Sequence, residues 1–235
     1  LRASGFGPET FTAYRSNFAG LPQVLAAAQV SGVDLILADL GVSSMQLDDP
    51  TRGFSVKQTG PLDMRMNPQR GQPASALLTR SQPEDLMALL ADNADEPHAR
   101  LLAQALAGRH LATTTDLAAA VRAAIPRVNA EERELSVRRV FQALRIAVNE
   151  EFSALEMLLR HLPVCLNPGG RVALLTFHSG EDRRVKKAFA AGYQSGVYAG
   201  IAQEVLRPGP EERYANPRSA PAKLRWARKA GKPTE

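Results

Sequence analysis

The sequence predicts an α/β protein, an open, largely parallel sheet with a small all-helical segment inserted between its strands. Three observations carry this. Two short apolar runs, Val33 to Leu40 and Arg171 to Phe177, end beside polar residues, Asp39 and His178-Ser179, as strands do where they leave a buried parallel sheet. Between them, apolar residues recur at spacings of three and four from Leu135 to Leu162, which reads as one long buried helix. The stretch from Pro68 to Arg133 is rich in alanine, leucine and mixed charge, with helix start and stop signals and no strand pattern. The α/β domain is therefore assigned to residues 1–67 and 134–235, and the helical insertion to 68–133.

Along the chain, Phe11 to Phe18 reads as a strand behind a helix end, and Ala19 to Val30 as a helix whose first turn tolerates Pro22. Val33 to Leu40 is expected to be buried on both faces. Asp39 then stands at its carboxyl end, where open parallel sheets bind ligands. A connection of more than twenty residues follows, as far as Met66, rich in Gly, Ser, Asp, Pro and Arg. Structured loops of that length are usually functional. Ser81-Gln-Pro-Glu84 has the form of a capping box before Leu86, and Thr113-Thr-Thr-Asp116 prepares a helix that Pro126 ends. Arg145 and Asn149 lie one turn apart on a flank of the long helix. After Pro168-Gly-Gly and the second strand, Ser179 and Asp182 form another capping box. Gln203 to Arg207 and Ala222 to Lys229 read as antiparallel strands, with Leu224 and Trp226 alternating against Lys223 and Arg225 in a half-buried pattern.

Composition narrows the function. A hydrophobic fraction of 44% is ample for a sizeable core, and one cysteine, Cys165, excludes an internal disulfide framework and suits a reducing cytosol. No run approaches the roughly 20 apolar residues needed to span a bilayer, and Leu1 to Pro8 do not form a signal peptide. The chain is expected to be cytoplasmic. Its net charge of +5 is uneven, because residues 171–235 hold thirteen Lys or Arg against six Asp or Glu. A basic region of this kind attracts phosphate backbones, although a solvated tail has the same composition. His98, Arg100 and His110 have no partner at a metal-ligand spacing, so no metal is expected.

The motifs D-L-G-V-S-S-M-Q-L-D-D-P-T-R-G-F-S, from Asp39, and G-P-L-D-M-R-M, ending at Met66, closely resemble the signature of the bacterial 16S rRNA (cytosine-N4) methyltransferase H family. F-Q-A-L-R-I-A-V-N-E-E at Phe141 to Glu151, G-G-R-V-A-L-L-T-F-H-S-G-E-D-R at Gly169 to Arg183 and N-P-R-S at Asn216 to Ser219 agree with it in family order. The resemblance implies a Rossmann-like class I methyltransferase sheet. It also implies transfer of a methyl group from S-adenosylmethionine to a cytidine amine in the decoding region of the small subunit. The glycine-glycine-histidine loop and ribose-binding acid of that family have no counterpart upstream of Phe11, so the chain reads as a truncated copy or one deficient in its cofactor site. Two other readings stand beside methylation of rRNA: an RNA-binding relative without activity, and a small-molecule methyltransferase. The sequence leaves the oligomeric state open, a homodimer included. It departs from the family at Gly180, where leucine is commoner and a looser helix start is expected, and after Ser219, where the pattern is poorer in Arg and Ser.

The exocyclic nitrogen of cytosine is a poor nucleophile, since its lone pair is delocalised into the ring. It must be held in line with the methyl group, and its N–H hydrogens must be accepted by a protein oxygen. Asp39 could be that acceptor or could hold the positive end of the cofactor. By resemblance the second role is favoured, with Phe18 and Gln46 as further cofactor contacts. Asp63, His178 and Asn149 remain as candidate catalytic acceptors. Arg52, Arg65 and Arg70 in the loop, Arg145, Arg183 and Lys187 on helices, and Arg218 in N-P-R-S are candidate RNA contacts, with solvated charges as the alternative.

Overall fold

In chain order the elements are α1 (Leu21–Ala27), β1 (Val33–Asp39), α2 (Ser44–Asp48), α3 (Ala74–Arg80), α4 (Pro83–Ala94), α5 (Ala99–Leu106), α6 (Thr114–Ala124), α7 (Ala130–Asn149), α8 (Glu151–Cys165), β2 (Leu166–Thr176), α9 (Ser179–Gln194), β3 (Tyr198–Ile201), α10 (Pro210–Ala215) and β4 (Lys223–Lys229). The structure is a computed structural model and describes residues 5, 7 and 9–231. They fall into two compact units, one of residues 1–39, 153–176 and 181–235, the other of 40–152 and 177–180. The signal-peptide reading of Leu1 to Pro8 and the helix end ahead of Phe11 fall largely outside the described residues. None of the helices is long and apolar enough to cross a membrane among the described residues.

The first unit holds a sheet of order β1-β2-β4-β3, in which β1 and β2 are parallel and the other pairs antiparallel. Its two faces differ. Val172, Leu174 and Ala227 are fully buried on one face, and Arg225 of the same face is nearly so. Helix α9 covers that face, with Asp182 gripping Arg225 and Phe189 meeting Tyr198 edge-on at 5.6 Å. Along the other face, register rows run Leu37, Ala173, Trp226 and Leu35, Arg171, Arg228. Leu35 is 63% exposed and Leu37 69%. The expectation of a strand buried on both faces is therefore corrected: β1 is an edge strand, hydrogen-bonded on one side only among the described residues. Phe11 to Phe18 is not a strand either. Residues 11–17 lack regular structure, the Phe11 N–H turning back to the Gly7 carbonyl at 2.8 Å rather than across to a strand.

The alternation at the C-terminus is inverted relative to the usual apolar-inward rule. Lys223 and Arg225 turn inward because Asp182 lies on that side, at 3.3 Å from the Lys223 Nζ and 2.6 Å from the Arg225 Nε. Trp226 is left 39% exposed. Asp182 is thus spent on β4 and makes no capping box with Ser179, whose hydroxyl instead donates to Asp95 at 2.9 Å within the second unit. The strand paired with β4 is Tyr198–Ile201; of the expected Gln203 to Arg207 only Leu206 bridges to Leu224.

The second unit is helical and closes over one apolar cluster that includes Leu86, Leu90, Leu102, Leu117, Val140 and Leu144. Each such leucine, fully buried, contributes about 1.5–3 kcal/mol. Thr113 caps α6 through the expected box with Asp116. Ser81 does not act this way: it closes α3, its hydroxyl donating to the Leu77 carbonyl at 2.8 Å, and Gln82 starts α4 with no side-chain cap. The single long helix is also corrected. Glu150, at φ +52°, ends α7, and α8 restarts at the next residue. A one-residue break barely disturbs the apolar spacing, so periodicity could not reveal it.

Candidate active site

The loop between β1 and α3 is held to the helical unit by its irregularly spaced apolar residues. Phe54, Leu62 and Met64 are buried in the same cluster as the helices, and Pro61 bridges Thr113. Its two limbs touch backbone to backbone: a Cβ on Gly60 would strike the Pro50 carbonyl, and one on Gly53, at φ +73°, would strike that of Pro61. The family-like glycines sit where no side chain fits.

Three of the candidate residues, Asn149, Arg52 and Asp63, converge on three consecutive loop residues, Met64 to Met66, of which Arg65 is itself a fourth candidate. The Asn149 Oδ1 accepts the Met66 N–H at 2.6 Å, and its Nδ2 donates to the Met64 carbonyl at 2.8 Å and the Arg145 carbonyl at 2.9 Å. From the other side, the Arg52 guanidinium donates to the carbonyls of Arg65 at 2.8 Å and Met66 at 3.0 Å. Arg65 and Asp63 form a two-bond ion pair at 2.8 and 2.7 Å. That bonding to Arg65 holds the Asp63 carboxyl below the usual aspartate range. Met64 at the centre has φ +64° and is wholly buried. The other non-glycine residues with positive φ among the described residues, Gln29, Asp95 and Glu150, all lie just past helix ends, where that conformation is ordinary. Met64 does not, and an L-residue there costs about 1–2 kcal/mol, so surrounding contacts must impose it.

Arg145 is not a surface charge. It forms a bidentate pair with Glu151 at 2.8 and 2.9 Å across the helix break, with the two side chains only 17% and 10% exposed. Sequence reasoning missed Glu151, because a spacing of six does not place two residues on one face of a continuous helix. His178, two residues beyond β2, has its ring 5.7 Å from that of Phe152. Gly180 does not loosen the helix start as expected: a Cβ there would lie 2.5 Å from the Phe152 ring, so glycine makes room for it. Gln46 folds back into a capping box, its Oε1 accepting the Ser43 N–H at 2.9 Å, which leaves its NH2 to offer to a ligand.

In the sheet unit, Asp39 is exposed at the carboxyl end of β1, in register with Leu175. Phe18 opens a short turn capped by Asn17, whose Oδ1 accepts the Ala19 N–H at 2.9 Å, and is 39% exposed. Arg183 and Lys187 are exposed one turn apart on α9, and Arg218 is exposed in the turn Pro217–Ser219.

A parallel strand pair that ends in an exposed carboxylate has its ligand-binding edge where Asp39 stands. The comparison with known proteins makes it specific: the chain belongs to the MraW methylase family, which matches residues 4–230 and has the class I methyltransferase fold expected from the sequence. It is similar to ribosomal RNA small subunit methyltransferase H 1 of Lachnoclostridium phytofermentans, 45% identical over 98% of this chain and 65% of that protein. It is also 44% identical to ribosomal RNA small subunit methyltransferase H 2 of Alkaliphilus metalliredigens, over 98% of this chain and 68% of that protein. The chain thus spans about two thirds of the length of these relatives.

Proposed function

We propose that this chain carries the methyl-transfer and RNA-recognition residues of an enzyme that methylates the N4 amine of a cytidine in 16S rRNA of the small subunit, in the cytoplasm, with S-adenosylmethionine as donor. The observation that carries this is the family match, which runs through both the strand ending at Asp39 and the loop bound to Asn149. The names of the relatives, which specify small-subunit rRNA, supply the substrate class.

S-adenosylmethionine, when bound, supplies an electrophilic methyl group. The residues present fit it at two points: the exposed Asp39 carboxylate suits its cationic end, and the partly exposed Phe18 ring suits the face of its adenine. Gln46 offers its NH2 as a hydrogen-bond donor. The helical unit, with the loop fastened to it, is the substrate-recognition part. Its Arg52, Arg65 and Arg145 are engaged in internal bonds, so Arg70, Lys186 and Lys187, which are exposed, are better placed to meet phosphate.

Titration calorimetry of the 235-residue chain with S-adenosylmethionine tests the reading. Binding is expected, with a loss of about 2 kcal/mol or more in Asp39→Ala, as for truncating a charged hydrogen-bond partner. Binding that ignores Asp39 would remove it from the site. Mass spectrometry of a 16S rRNA fragment incubated with chain and donor should then show N4-methylcytidine, and binding of RNA without methylation would favour the inactive RNA-binding relative.

A further inference from the structure

We infer that Asn149 is a positioning residue for the substrate loop, not an acceptor of the amine proton. The inference rests on the proposed function and deepens it. Both hydrogens of the Asn149 amide are committed, to the carbonyls of Met64 and Arg145, and its oxygen already accepts the Met66 N–H. A side-chain amide offers two donors and an oxygen with two lone pairs; both donors and one lone pair are spent on backbone groups, which holds the side chain as a clamp on the loop. What these bonds do is structural in a directed sense. They bridge 83 and 85 residues of sequence and grip the loop on either side of Arg65, while Arg52 holds the carbonyls of Arg65 and Met66 from within the loop. The left-handed turn at Met64 lies inside this double clamp, as an imposed conformation requires.

The clamp is itself braced. Asn149 is the last residue of α7, where a helix ordinarily frays, and the next residue is left-handed. The nearly buried Arg145–Glu151 pair spans that break and fixes both sides of it. The order of control therefore runs from Arg145 and Glu151 to Asn149, and from Asn149 to Met64–Met66. The substrate loop takes its shape from a helix end that touches no substrate.

The test compares Asn149→Ala and the isosteric Asn149→Asp with the unaltered 235-residue chain by residue-resolved amide exchange, affinity for a 16S rRNA fragment, S-adenosylmethionine binding and thermal unfolding. In Asn149→Ala the Met66 amide should lose at least tenfold protection and the RNA affinity about tenfold, with cofactor affinity within twofold and the amides of α4 and α6 unchanged. Asn149→Asp keeps an acceptor for Met66 and loses both donors, so its Met66 protection and RNA affinity should fall between. Unchanged Met66 exchange in Asn149→Ala overturns the inference, and so does faster exchange with undiminished RNA affinity. Should the unaltered chain bind no rRNA, the proposed function fails instead, and the exchange arm alone decides whether Asn149 sets the loop.

Discussion

Asp182 is the residue on which the sheet unit turns. Burial pushes its carboxyl up, but bonds and charge from Arg225, with Lys223 beside it, outweigh that and leave it below the ordinary aspartate value of 3.8. The side chains of Asp182 and Arg225 are only 13% and 9% exposed. Removing one partner strands the other charge in the interior, so Asp182→Asn should cost about 3–5 kcal/mol in urea unfolding at neutral pH. A carboxyl whose folded value is depressed stabilises the fold fully above its unfolded value, and that contribution fades as pH falls through the folded one. The unaltered chain should therefore lose stability more steeply below about pH 4 than Asp182→Asn does. Equal slopes would mean that the pair does not govern acid stability.

At the scale of elements, the starts of α8 and α9 share one steric choice within the second unit. Gly180 admits the Phe152 ring, which is 8% exposed. Gly180→Leu should cost about 1–3 kcal/mol by overpacking. Adding Phe152→Leu should recover most of that loss, giving a favourable coupling in a double-mutant cycle read by thermal unfolding. Additive losses would show that the two positions do not share the space. The same reasoning separates what the helix pattern could and could not show. Thr113 and Asp116 are neighbours in sequence and formed the box they spell. Ser81 instead back-bonds to the Leu77 carbonyl one turn earlier, a local alternative to capping, and Ser179 was claimed by Asp95, 84 residues away, which no local motif announces.

For each unit as a whole, the balance of buried and bare surface differs. The helical unit buries its apolar stripes in one cluster, whereas the sheet unit leaves Leu35, Leu37 and Trp226 exposed on one face. Exposed apolar area beside a strand edge that is unpaired among the described residues favours self-association. The double substitution Leu35→Lys with Leu37→Lys should change stability by no more than about 0.5 kcal/mol and should reduce concentration-dependent light scattering. A large loss of stability would show that these leucines are covered in solution.

The sequence by itself determined the α/β class, the parallel pairing of the strands on either side of the helical stretch, the place of Asp39 at a strand end and the family, because these depend on patterns within a few residues or on long motif strings. The tertiary structure alone decided which side chains were already spoken for. That Asn149 binds Met64 and Met66, that Arg145 binds Glu151 and that Asp182 turns β4 inside out are pairings across a helix break or across 43 to 85 residues. Hydrogen bonds and ion pairs are set by distance in space, and residue spacing reports that distance only within a continuous helix or strand.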